Sequence, residues 1–135
     1  MSTPARSVDA EHLDLLGVFH YVVAALTGLF ALVPVIHLVI GLGLVTGRLG
    51  QQAEAPDEAR LVGWLFVGIA LFLILLGLAC AVLFAYAGRC LRGRRRYMLC
   101  MVAAAIASMF VPFGTVLGVF TLIVLSRPGV RAMFH

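Results

Sequence analysis

Residue types able to do chemistry are few in this chain and fall into three groups. His12, His20 and His37 lie in the first third, Cys80, Cys90 and Cys100 in the second half, and Arg89, Arg92, Arg94, Arg95 and Arg96 form one short basic cluster. His37 sits deep in a charge-free run, where an ionisable side chain is costly unless it is neutral and hydrogen-bonded. It therefore marks a candidate intramembrane polar site, together with Thr27 and Pro34. The same position also suits a histidine that simply bonds a neighbouring helix or a backbone carbonyl released by Pro34.

Haem ligation is restrained by geometry. His20 and His37 are 17 residues apart, about 25 Å along a straight helix and rotated by about 100°, so one copy cannot clamp one iron between them. His12, Asp14 and His20 have no recognised metal spacing. No metal and no cofactor is expected. The cysteines are odd in number and form no CxxC pair, which points to reduced thiols. No carboxylate lies within an apolar run and no nucleophile stands beside a base, so an enzyme is not expected either.

The elements that must position these residues are membrane helices. The chain has 135 residues, 63% hydrophobic and 12% charged, with a mean hydropathy of +1.11. Soluble domains run at about 45–50% apolar and about 25% charged. Three charge-free runs, Leu15–Gly47, Leu61–Gly88 and Tyr97–Ser126, are each long enough for the roughly 20 helical residues that cross a hydrocarbon core. Residues 1–58 hold all six acids and two arginines, and residues 59–135 hold eight arginines and no acid. Such a basic half beside apolar runs suits anionic headgroups rather than nucleic acid. Met1–Asp14 carries three acids ahead of a run too long for a signal-peptide core, so cleavage is not expected.

The third run is interrupted by Val111-Pro112-Phe113-Gly114. One kinked helix would leave six arginines inside and four outside, whereas a hairpin turning at Pro112 leaves eight inside and two outside. The positive-inside bias favours the hairpin. The expected fold is therefore all-α: a polytopic transmembrane bundle of four apolar helices (13–46, 57–91, 95–110 and 114–126). A polar outer loop (48–56) joins the first two, the last two form a short hairpin, and residues 1–135 make a single membrane domain. Both termini are expected on the cytoplasmic side, with His20 and Tyr21 at the inner headgroup level.

Small residues recur on the second helix at Gly77, Ala81 and Ala85, and Gly114 and Gly118 form a GxxxG pair. Both patterns suit close helix packing, within the chain or between copies. The arginine cluster reads as a topology anchor, with anionic lipid or an acidic partner as its ligand.

Phe19-His20-Tyr21-Val22 followed by Pro34 and His37, and Pro112-Phe113-Gly114-Thr115-Val116-Leu117-Gly118 with Leu122–Leu125, resemble small uncharacterised polytopic inner-membrane proteins of bacteria. The resemblance implies a bacterial inner-membrane location and carries no activity. The expected function is helix association, as an accessory or assembly subunit or a homo-oligomer, with the bilayer and a membrane-protein partner or a second copy as partners. The alternatives are an oligomeric channel or carrier for a small solute and, behind it, a haem- or quinone-binding protein.

Overall fold

Proline and glycine set the helix boundaries. A computed structural model describes residues 4–49 and 56–134, and these are helical with no strand among them. α1 is Pro4–Phe30, α2 Val35–Val45, α3 Pro56–Gly93, α4 Tyr97–Ala107, α5 Phe113–Leu125 and α6 Pro128–Arg131.

The helix expected over 13–46 is thus two helices. Pro34 has no N–H to donate, and the chain tightens before it into i→i+3 bonds: Leu32 N–H donates to Leu29 O at 3.1 Å and Val33 N–H to Phe30 O at 3.1 Å. α1 also begins earlier than expected, and α6 was not foreseen at all. Most of the expected outer loop, residues 50–55, lies outside the described residues.

α3 ends in a tight corner. Arg94 and Arg96 adopt left-handed conformations, with φ of 51° and 54°. The Arg95 N–H donates to Cys90 O at 3.0 Å, which satisfies one of the last carbonyls of α3. At the next bend, residues 108–112, the chain reverses between α4 and α5. The Thr115 hydroxyl donates to Ser108 O at 2.8 Å across this turn, and at the far end of the hairpin the Tyr97 hydroxyl donates to Leu125 O at 2.9 Å.

Contacts divide the chain into two units. The first comprises Met1–Leu26 and Ala81–His135, the second Thr27–Cys80. In the first unit Leu13, Phe84, Leu91, Leu125 and Val130 are fully buried, and Cys100, Ala103, Ala104 and Ala107 form a flat inner face on α4. Gly118 fits against that face: a Cβ there would stand 2.5 Å from Ala104 O and 2.6 Å from Ser108 N. In the second unit α2 and α3 meet backbone to backbone. A Cβ on Gly41 would stand 2.9 Å from Gly63 O, and one on Gly63 would stand 2.9 Å from Gly41 O.

Two segments, Val8–Val45 and Asp57–Gly93, are long and apolar enough to cross a membrane, and only 11% of the most apolar window of each is buried. Their exposed surface is made of large apolar side chains, among them Phe30, Ile36, Val39, Phe72, Leu75 and Val82. α4 and α5, with 11 and 13 residues, reach about 16 and 20 Å.

Gly41→Leu should destabilise the protein by about 1–3 kcal/mol, the usual cost of overpacking, because the opposing atoms are backbone and cannot swing aside. Gly68→Ala should hold or raise stability, since nothing lies within 4 Å of a Cβ there and alanine is the better helix former by about 0.8–1 kcal/mol. Unfolding of both variants in mixed detergent micelles, followed by circular dichroism, measures the contrast.

Candidate functional site

The most unusual polar group in the first unit is His20. Its side chain is wholly buried on the face of α1 that also carries Leu13, Leu16, Gly17 and Ala24. The backbones admit it because α1 and α3 pass closely at glycines: a Cβ on Gly88 would stand 2.8 Å from Gly17 O and 3.2 Å from the His20 Cβ.

His20 Nδ1 lies 3.0 Å from Leu16 O. A carbonyl can only accept, so Nδ1 carries the proton and Nε2 is a bare acceptor. Nε2 is buried without a hydrogen-bond partner. Depth along the apolar run puts His20 at headgroup level. In the structure it belongs to the interior stripe at 13, 16, 17, 20 and 24, a helical periodicity present in the sequence. The neighbouring Tyr21 is 39% exposed.

Other buried polar atoms of this unit are satisfied locally. The Thr121 hydroxyl donates to Leu117 O at 2.7 Å, and the Cys100 thiol lies 3.8 Å from Arg95 O. Cys90 and Cys100 are buried free thiols. Among the described residues no group of three or more His, Cys, Asp or Glu could hold a metal ion.

Beside the His20 face runs an open apolar groove of about 700 Å³. Leu15, Phe19, Val22 and Leu26 form its α1 wall. Phe113, Val116, Phe120 and Val124 form its α5 wall. Among the described lining residues charge enters at one end, where His12 and Arg127 close the groove. There the Arg127 guanidinium, 51% exposed, lies 3.4 Å from an Asp9 carboxylate oxygen.

The arginine cluster is solvent-facing at Arg89, Arg92, Arg95 and Arg96 and half-buried at Arg94. The Arg96 guanidinium stands 5.8 Å from the Tyr86 ring centre, and Arg131 stands 5.7 Å from that of Tyr97, whose ring also meets Phe134 edge-on. Both are cation–π distances. A shallow hollow of about 620 Å³ lies against Arg96, Tyr97 and Arg131.

The polar site expected around His37, Thr27 and Pro34 lies in the second unit. His37 is exposed and stacks on Phe66 with ring centres 6.0 Å apart. Thr27 and Pro34 are half-buried, and Pro34 caps the start of α2. His20 and His37 fall in different units. Of the small residues singled out from sequence, Gly77 packs on Ala31, Gly114 on Ala107 and Phe110, and Gly118 on Ala104 and Ser108, while Ala81 and Ala85 are half-buried.

Comparisons with protein-family models, with curated proteins and with solved structures find no match to this chain.

His20→Phe tests the bare nitrogen. The substitution removes an unsatisfied polar atom while keeping an aromatic ring, and the Leu16 carbonyl retains its place in the helix ladder, so stability should change by no more than about 1 kcal/mol. A loss of several kcal/mol in reversible unfolding would mean that Nε2 has a bonding partner in the working protein.

Proposed function

We propose that this chain is a small inner-membrane protein of a bacterium, threaded as four apolar helices with both termini cytoplasmic, that works by associating with another membrane helix. The carrying observation is Gly68. Gly17, Gly41, Gly63, Gly77, Gly88, Gly114 and Gly118 each have a close internal neighbour where a side chain would stand; Gly47, just past α2, and Gly93, at the end of α3, are open, and so is Gly68, which lies within the apolar stretch of α3. It interrupts an exposed apolar ridge on α3 formed by Leu61, Trp64, Leu65, Phe72 and Leu75. A small residue inside such a ridge leaves a notch into which a second helix can pack, and close packing is what drives association where lipid removes the hydrophobic force.

Topology is supported by the distribution of charge in the first unit. Asp9 reaches Arg127, and a Cβ on Gly17 would touch the Arg92 side chain. The first half of α1, the end of α3 and the end of α5 therefore lie together in that unit, and the arginines gather there. The turn at the other end of the hairpin exposes Met109, Val111 and Phe113 instead. This arrangement agrees with arginines held on the cytoplasmic side.

In mild detergent the wild-type protein should run as an assembly, either with itself or with a copurifying protein. Gly68→Leu should fill the notch and shift it to monomer, a change of about tenfold or more in association. A wild-type protein that is a monodisperse monomer without a protein partner would overturn the association reading. A reporter fused after residue 135 should fluoresce as a cytoplasmic protein and stay inactive as a periplasmic phosphatase. An active phosphatase would mean that residues 97–126 cross once.

A further inference from the structure

We propose that the groove between α1 and α5 holds one acyl chain of an anionic bilayer phospholipid, with the headgroup at Arg127 and His12. The proposal rests on the membrane reading above, and concerns a site separate from the Arg89–Arg96 cluster.

Three properties of the groove point to this occupant. The first is polarity: the two walls are apolar along their length, and among the described residues the charged or ionisable lining residues are His12 and Arg127, which stand together at one end. An amphiphile with a long tail and one anionic head has the same distribution. The second is size. Phe113 and Arg127 are 14 positions apart, about 21 Å at helical rise. One leaflet of hydrocarbon is about 15 Å deep, so a chain entering at the arginine end fits along the groove. Its volume of about 700 Å³ lies within the roughly 300–1,000 Å³ of small-molecule sites.

The third property is the character of the walls. A second helix packs closely where small residues let backbones approach, but this groove is lined by Leu15, Phe19, Val116 and Phe120, and the two glycines of α5 that could have served, Gly114 and Gly118, already lie against Ala107 and Ala104 of α4. Flexible and aromatic side chains suit a mobile alkyl chain better. At the charged end, Arg127 is not consumed by its ion pair. Its 3.4 Å approach to Asp9 is longer than the 2.7–2.9 Å of a strong charge-assisted bond, and a guanidinium has five N–H donors. A phosphate can take several of these while Asp9 keeps one.

The test uses the full chain in mild detergent, with native mass spectrometry and thermal unfolding in added phosphatidylglycerol or phosphatidylcholine. Wild type should retain one phosphatidylglycerol per chain and prefer it over phosphatidylcholine by about five- to tenfold, as one or two favourable charge contacts predict. Arg127→Gln should abolish that preference. Val116→Trp, inside the groove, should reduce binding of both lipids. Val119→Trp, exposed on α5 and absent from the groove lining, and Arg94→Gln, in the basic corner, should leave the retained lipid in place. Helicity measured on each variant separates lost binding from lost folding, and a headgroup preference that survives Arg127→Gln in a folded protein overturns the proposal.

Equal retention of the two lipids by wild type overturns it as well. So does cross-linking of Val116 positions between copies, which would make a second chain the occupant. None of these results touches the Gly68 association surface, whose failure is read from assembly state alone.

Discussion

Backbone contact at glycine is the constraint on which this architecture depends. Gly41 lies against Gly63, Gly17 against Gly88, and Gly118 against the carbonyl of Ala104, each so close that a Cβ would enter the space of a main-chain oxygen. In a chain with so much exposed apolar surface, burying another leucine gains little, because the surroundings are already apolar on the membrane reading. What remains is contact between close-fitting surfaces, and helices fit most closely where they lack side chains. The glycines define where α1 and α2 can touch α3, and the alanine face of α4 defines where α5 can.

That constraint explains how a histidine comes to be buried among apolar neighbours. Gly17 and Gly88 draw the helices together next to His20, leaving the imidazole no route to the surface. Its own helix satisfies Nδ1 through Leu16 O. Nε2 is the remainder of that solution, an acceptor retained in the interior at the expense of its hydration. The groove lies on the adjoining side of α1, where the side chains at 15, 19, 22 and 26 are large.

Much of this was legible in the sequence, because the strongest signals are local. The helical class follows from long apolar runs, and the turn near Pro112 and the start of α3 at Pro56 follow from the backbone chemistry of proline. Pro34 fits the interior of one kinked helix as well as a break, yet it divides α1 from α2, since a missing N–H can be absorbed by a kink or by a short turn and the sequence does not choose between them. His20 needs a second coordinate besides its depth. Position along an apolar run gives depth, whereas burial depends on azimuth, and only the stripe at 13, 16, 17, 20 and 24 carries that. The groove has no local signal: its two walls are separated by nearly the whole sequence and join only through tertiary packing.

The short hairpin has a consequence for how the chain is made. Arms of 11 and 13 residues each fall below the length at which a helix is stable alone in a bilayer core about 30 Å thick, and their turn exposes Met109, Val111 and Phe113 rather than charge. On the membrane reading, neither arm can be handed to the bilayer by itself during synthesis. Their mutual bonds, Thr115 to Ser108 and Tyr97 to Leu125, join the two ends of the pair, so the hairpin must enter as one pre-paired body.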